Sequence, residues 1–427
     1  MNENFNKIIP FNFWEQKRKI GFTRSIYLES LKQFNGSKLI RVLLGQRRVG
    51  KSFILRQYIN ELIINEGVKA KNTFYINKEF TEFDFIRNYK DLENLLAFYH
   101  KKFKIKGKVY LFIDEVQQIE QWEKIINSLS QDYTKEYEIF ITGSNSDLLS
   151  GELSSLLSGR YVEFEILPFS FYEYTDFLDQ EKNRKNLLDY LASGALPELF
   201  NLKNKESKIH YMSSLKDTIL LRDIIQRYHI KDAALLNDIF TYLVNNISNL
   251  VSITNIINYF KSKNRKTNYE TISNYISYLL QTFVIHQAER FDIKGKDILS
   301  GNTKFYLNDL AFKNLLFPSI LHGSGYILEN YVYTELRRNG FQIFVGAFRA
   351  GEVDFVATKN NKTLYIQVCF DFQNPETAKR EYKSLLSIKD NYEKWIVTMD
   401  EFVLQDYKGI KHYQAWKLEE ELKKLEL

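Results

Sequence analysis

Gly45-Gln46-Arg47-Arg48-Val49-Gly50-Lys51-Ser52 follows the spacing G-x-x-x-x-G-K-[ST] without a departure. Each residue type has a use against phosphate. Glycines let the backbone turn and approach a ligand closely, the lysine reaches β- and γ-phosphate oxygens, and the serine hydroxyl ligates Mg²⁺. Nucleotide contacts are therefore expected from Gly45, Arg47, Arg48, Val49, Gly50, Lys51, Ser52 and Phe53. Downstream, an apolar run ends in Asp114-Glu115. Asp114 is expected to hold Mg²⁺ together with Ser52. Glu115 is expected to polarise the water that attacks the γ-phosphate, with Lys51 on the β- and γ-phosphates. A third polar pair, Ser144-Asn145, follows another apolar run. Asn145 or Ser144 could orient the attacking water, and both are also good helix caps. Arg160 stands just before a further strand-like run. Its guanidinium could cross a subunit interface to a neighbour's γ-phosphate, or it could sit in a local ion pair.

These residues need a particular scaffold. Residues 39–44 read as a buried strand and residues 53–63 as a helix, so the glycine loop joins a strand to a helix N-terminus. That arrangement aims backbone N–H groups at a bound anion. Residues 109–113 and 138–142 read as two more buried strands, residues 147–158 as a short helix and residues 161–166 as the next strand.

The runs GQRRVGKS, LFIDEVQQIEQWEKII, ITGSNSDLLS and LSGRYVEFEILPFSFYEY together resemble a prokaryotic branch of the AAA+ ATPases. The resemblance covers nearly the whole chain. It implies ATP and Mg²⁺ as ligands and a five-stranded parallel sheet. In that sheet the strand ending at Ser144-Asn145 lies between the P-loop strand and the Asp114 strand. It assigns Ser144-Asn145 to the sensor region and Arg160 to an arginine finger. A finger acting in trans requires a homo-oligomer, often a hexameric ring in related enzymes. The fold expected is α/β, in three domains: an AAA+ P-loop core over 1–200, a helical lid and winged helix over 201–325, and a restriction-endonuclease-like domain over 326–427.

In the middle region, Ser252 caps a short helix, a basic linker follows, and residues 267–283 form a second helix. Residues 283–291 and 304–307 could form the strands of a wing. DNA contact would run through Lys261, Lys263, Arg265, Lys266, Lys294 and Lys296, by neutralising phosphate with little sequence information. A solvated basic loop on a packing module is the plain alternative.

Beyond residue 326, a helix and three strands resemble the core of restriction-endonuclease-like enzymes. Glu329 and Asp354 match the first two acids of such a site. The third element reads Gln367-Val368-Cys369, with glutamine for the acid and cysteine for the lysine. Glu352 could substitute as a ligand, but nothing replaces the lysine at its site, so independent nuclease activity is not expected. Residues 419–427 read as a solvated helix.

Composition describes a folded globular protein. Hydrophobic residues make up 44% of the 427, prolines number five, and the net charge is +6, which is compatible with nucleic acid but not diagnostic. The single cysteine, Cys369, excludes an internal disulfide, and the six histidines lack metal-ligand spacing. No apolar run approaches the roughly 18 residues of a membrane span. No secretory signal is visible at the start of the chain, so a cytoplasmic location is expected. The function expected is ATP hydrolysis by an oligomer that moves or remodels DNA. The alternative is an ATP-dependent switch that controls a protein partner.

Overall fold

The computed structural model describes residues 1–149, 157, 159–318, 323–348, 351–373, 375–403 and 406–425. Most of the helix expected over 147–158 lies outside the described residues. The chain packs as two units, Met1–Ile166 and Leu167–Leu427.

The first unit contains α1 (Asn2–Ile8), α2 (Ser25–Lys32), β1 (Ile40–Leu44), α3 (Lys51–Ile64), β2 (Thr73–Asn77), α4 (Tyr89–Phe103), β3 (Val109–Asp114), α5 (Trp122–Gln131), β4 (Tyr137–Gly143) and β5 (Tyr161–Glu165). The five strands form a parallel sheet in the order β2-β3-β4-β1-β5. β4 thus lies between the P-loop strand and the Asp114 strand, as expected. Because the strands are parallel, the C-terminal ends of β1, β4 and β3 share one edge, with Leu44 opposite Gly143 and Ile113 opposite Ile141.

Buried strands of a parallel sheet read as continuous apolar runs, and β1 is buried at all five residues. That run includes a cation. Arg41 is fully buried, pairs with Glu138 at 3.0 Å and lays its guanidinium over the Phe140 ring at 4.7 Å. The helix α4 starts at a reciprocal cap: the Asn88 side chain accepts from the backbone of Lys90 and Asp91, and the Asp91 carboxylate accepts from the Asn88 N–H.

The second unit begins with α6 (Phe171–Leu178), α7 (Arg184–Ser193) and α8 (Lys205–Thr218). The helix continues from α8 through a π-helical turn, Ile219–Ile225. Next come α9 (Ala233–Asn245), β6 (Leu250–Val251), α10 (Ile253–Ser262), α11 (Tyr269–Gln281), β7 (Ile285–Asp292), β8 (Asp297–Leu307) and α12 (Ala311–Leu316). The chain ends with α13 (Ser324–Arg338), β9 (Gln342–Phe348), β10 (Gly351–Lys359), β11 (Lys362–Cys369), α14 (Pro375–Leu386), β12 (Glu393–Thr398), β13 (Ile410–Gln414) and α15 (Leu418–Lys424).

These strands make one mixed sheet in the order β13-β12-β11-β10-β9-β7-β8-β6. β7 and β8 form an antiparallel hairpin, and β6 adds to its β8 side. β7 then pairs with β9 in parallel, Arg290 to Val345 through Asp292 to Ala347. Gly346 leaves room at this seam, since a Cβ there would lie 2.9 Å from Ile293 Cδ1. The hairpin and the C-terminal strands therefore belong to one sheet. The terminal helix is not solvated all round as expected: Leu418 and Leu422, one turn apart, are buried, and so is Glu419.

Candidate functional site

The P-loop leaves β1 at Leu44 and turns through two glycines. Gly45 has φ +146°, and a Cβ there would lie 2.3 Å from the Ile166 carbonyl oxygen. Gly50 has φ +102° and opens onto free space. α3 starts at Lys51, so the unpaired N–H groups of its first turn border the loop. Lys51 is buried, and its Nζ donates to the carbonyls of Gly45 at 2.8 Å and Gln46 at 3.1 Å. Burial lowers its pKa, while Glu115 and Asp114 pull it back up.

Asp114 is buried at the end of β3. Its Oδ1 accepts from Thr142 Oγ1, and its Oδ2 accepts from Tyr75 OH at 2.9 Å and Asn77 Nδ2 at 3.1 Å. The Ser52 hydroxyl is a further hydrogen-bond partner. Burial raises the Asp114 pKa first, Glu115 adds to that, and the hydroxyl donors oppose it. Glu115 takes a left-handed φ of +55° and donates its N–H to Thr142 Oγ1 at 3.0 Å. Its Oε2 accepts from Gln117 Nε2 at 2.5 Å and lies 3.4 Å from Ser144 Oγ.

Ser144 and Asn145 are both buried just beyond β4. In the loop itself, Val49 is buried, Arg47 lies 3.4 Å from Glu79, and Arg48 is exposed in a left-handed conformation. Phe53 is 43% exposed and lies between Gly21 and the Arg56 guanidinium, which sits 4.1 Å over its ring. Arg160 is elsewhere. It precedes β5, whose first residue pairs with Ile40 at the N-terminal end of β1, and its carbonyl accepts from the Ile40 N–H. The length of β1, about 3.3 Å per residue, separates it from its own P-loop. Its guanidinium reaches Asn127 at 3.4 Å.

Sequence reasoning missed the cage of Tyr75, Asn77 and Thr142, which comes from the strands on either side of β3. It also missed a strap of residues 20–24 beside the P-loop. Gln57 on α3 donates to the carbonyls of Ile20 at 2.8 Å and Phe22 at 2.6 Å, and it accepts from the Arg24 N–H at 3.1 Å. Arg24, buried, donates to the Val49 carbonyl at 3.1 Å. The cage residues come from separate strands and share no linear motif, and the strap carries only one turn signal, Gly21 with φ +67°. The donor set of the P-loop site fits Mg²⁺: a serine hydroxyl and a strand-end carboxylate already in contact, both hard oxygen ligands.

A second polar cluster lies in the other unit. Glu329 on α13 and Glu352 and Asp354 on β10 line a cavity of about 550 Å³ together with Gln367. At the position on β11 that matches the lysine stands Cys369, whose thiol is pushed up to about 12, chiefly by burial. The ammonium arrives instead from β8: Lys304 Nζ lies 2.8 Å from Glu352, 3.0 Å from Glu329 and 3.7 Å from Asp354. The expectation that nothing stands in for the lysine thus needs correction, because the substitute comes from outside the C-terminal segment. The third acid of such a site is still missing, because Gln367 stands in its place. Among the described residues no three acid, histidine or cysteine side chains are set to enclose a metal ion.

The linker cations differ from expectation in one respect. Lys261, Lys263, Lys266, Lys294 and Lys296 are exposed, but Arg265 is bound to Asp232 at 2.9 Å and also to Asp238. No helix among the described residues is long and apolar enough to cross a membrane.

Comparison with known proteins adds the following. Residues 37–175 match a family described as an AAA domain, and residues 184–319 match a domain of unknown function (DUF8612). An uncharacterized protein of Haemophilus influenzae is 35% identical over 399 residues, which is 92% of this chain and 97% of that one. Another from Methanocaldococcus jannaschii is 32% identical over 367 residues, 82% of this chain and 79% of that one. Among solved structures, a Walker-type ATPase of Pyrococcus abyssi shares 17% identity, covering 72% of this chain and 99% of its own, with a TM-score of 0.43.

Proposed function

The chain belongs to the AAA family of P-loop ATPases, and on that premise we propose that it is an oligomeric enzyme that hydrolyses ATP to move or remodel DNA. The observation that carries the ATPase reading is the meeting of Lys51, Ser52, Asp114 and Glu115 at one edge of the parallel sheet. Lys51 exchanges its two loop carbonyls for β- and γ-phosphate oxygens. Ser52 and Asp114 hold Mg²⁺, which neutralises phosphate charge. Glu115 accepts a proton from water as its oxygen bonds to the γ-phosphorus and the bond to the β,γ-bridging oxygen breaks, leaving ADP and phosphate. Asn145 aids in orienting that water. The strap over 20–24, beside Phe53, takes the base.

Arg160 is too far along its own sheet to serve its own site, so it serves a neighbour's, and the active species is a homo-oligomer, a hexamer being the form suggested by the resemblance. The three helices α9–α11 with the β6-β8-β7 strands act as a winged helix. Its free lysines meet DNA phosphate, and Arg265 does not, being held by two aspartates.

Steady-state ATP hydrolysis with single-stranded, duplex and four-way-branched DNA at low salt tests this, with Lys51→Ala as the blank. Stimulation by one DNA form that fades at high salt is the expected result. ATP binding with slow turnover, indifferent to every DNA, would overturn the motor reading. It would favour a switch that controls a protein partner, a reading supported by the grip of Gln117 on Glu115. Glu115→Gln is expected to keep ATP binding and to lower kcat by about 10²–10⁴-fold. Filter binding and phosphate release check the two halves of that expectation separately.

A further inference from the structure

Given the ATPase reading, on which this inference rests, we propose that Gln117 is the positioning residue for Glu115. Its side-chain amide holds one carboxylate oxygen, Oε2, and leaves the other, Oε1, to take the proton of the attacking water. Glu115 has a left-handed φ of +55°, and the tight turn Val116–Gln118 that follows brings residue 117 back toward it. Gln117 Nε2 then lies 2.5 Å from Glu115 Oε2. Chemistry fixes the direction of this amide. An ionised carboxylate only accepts, so the NH₂ group faces it and the amide oxygen points the other way. Gly143, the last residue of β4, makes the room, since a Cβ there would lie 3.3 Å from that amide oxygen.

Two other groups touch Glu115. Ser144 Oγ lies 3.4 Å from the same Oε2, beyond the usual range for a hydroxyl donor, so Gln117 is the stronger partner. Thr142 Oγ1 accepts from the Glu115 backbone N–H, which fixes the backbone and not the carboxylate. Among the described residues nothing donates to Glu115 Oε1. The amide oxygen of Gln117 is buried and also has no partner among the described residues. A glutamine kept only for packing would satisfy both ends, because a buried acceptor without a donor is costly. This one gives its donor to the base and leaves its acceptor unpaired. Hydrolysis depends on that aim. The O–H bond of water breaks toward one carboxylate oxygen while the water oxygen bonds to the γ-phosphorus, so a misdirected base loses rate without losing ATP.

Steady-state hydrolysis and filter binding of ATP by the full chain test this, with Lys51→Ala as the blank. Gln117→Met keeps the side-chain length and loses the donor. It should lose about 10- to 100-fold in kcat, with KM and ATP binding within about twofold of wild type. A Gln117→Met enzyme as fast as wild type would overturn the proposal. A faster one would do so too, by marking the contact as a brake on Glu115. So would a loss that falls on KM and ATP binding instead of kcat, which is the mark of a merely structural side chain. If Gln117→Met does not fold, Gln117→Asn, whose amide is one carbon too short to reach Glu115, takes its place under the same criteria. Wild type no faster than Lys51→Ala would overturn the ATPase reading itself, and the role of Gln117 with it.

Discussion

Asp114 shows how neighbouring strands build the setting of a single buried carboxylate. It is buried, so ionising it is costly, and three hydroxyls and one amide surround it. Only Asp114 itself was legible as a linear pattern, because an acid ending an apolar run after a P-loop is a local feature. Tyr75, Asn77 and Thr142 were not, because each becomes a neighbour only once β2 and β4 flank β3. Lys304 is a stronger case. It belongs to a hairpin that reads as a wing, and only the parallel pairing of β7 with β9 places that hairpin beside Asp354. Cys369 was legible in the opposite sense, as an inert thiol in an apolar strand. Burial pushes its pKa up to about 12, and it packs among Val353, Val356 and Phe372. Native protein at pH 8 should resist iodoacetamide at this single thiol, and unfolded protein should be alkylated at once. Mass spectrometry of the two samples reads the difference, and rapid native labelling would contradict the packing.

At the scale of elements, caps and strand pairs set the stability of the pieces that hold the sites. The reciprocal Asn88–Asp91 cap satisfies the backbone N–H groups of Asn88, Lys90 and Asp91 at the start of α4, and that helix packs on β2, with Tyr99 stacked 4.6 Å from Phe74. Asn88→Ala is expected to cost about 1 kcal/mol of stability, read as a lower urea midpoint with unchanged slope. At the far edge of the other sheet, His412 on β13 is buried and shares a 2.8 Å hydrogen bond with Thr398 on β12. Burial lowers its pKa to about 4, so the folded chain keeps the ring neutral where the unfolded chain, near 6.5, takes up a proton. The unfolded state therefore binds more protons between those values, and stability rises with pH across that window and is lost as pH falls through it. Urea unfolding from pH 4.5 to 7 should show that slope, and His412→Asn should flatten it. Element boundaries in the regular regions were legible from apolar periodicity and caps: Ser252 does accept from the Asn255 N–H at the start of α10. The π-helical turn at Ile219–Ile225 was not, since its wider turn leaves no compositional trace.

At the scale of the whole molecule, the ends of the parallel sheet separate two kinds of chemistry. The P-loop lies at the C-terminal end of β1, and Arg160 lies beside the N-terminal end. If Arg160 completes a neighbour's site, Arg160→Ala alone should lose at least about 10²-fold in hydrolysis, by the usual worth of such a guanidinium. Lys51→Ala should be inactive for a different reason. A mixture of the two should recover hydrolysis that neither shows, because one chain supplies an intact P-loop and the other an intact arginine. A mixture as inactive as its parts would return Arg160 to the local pairing with Asn127. The sheet of the second unit bears on how the protein can be dissected. A fragment ending at residue 319, where the match to the domain of unknown function stops, would keep β7 and β8 but lose β9. The outer hydrogen-bonding row of β7 would then be bare, and Lys304 would be left without its carboxylates. An open strand edge of that kind recruits other chains, so the natural unit for expression runs through β13, and the shorter piece should precipitate or form ordered aggregates.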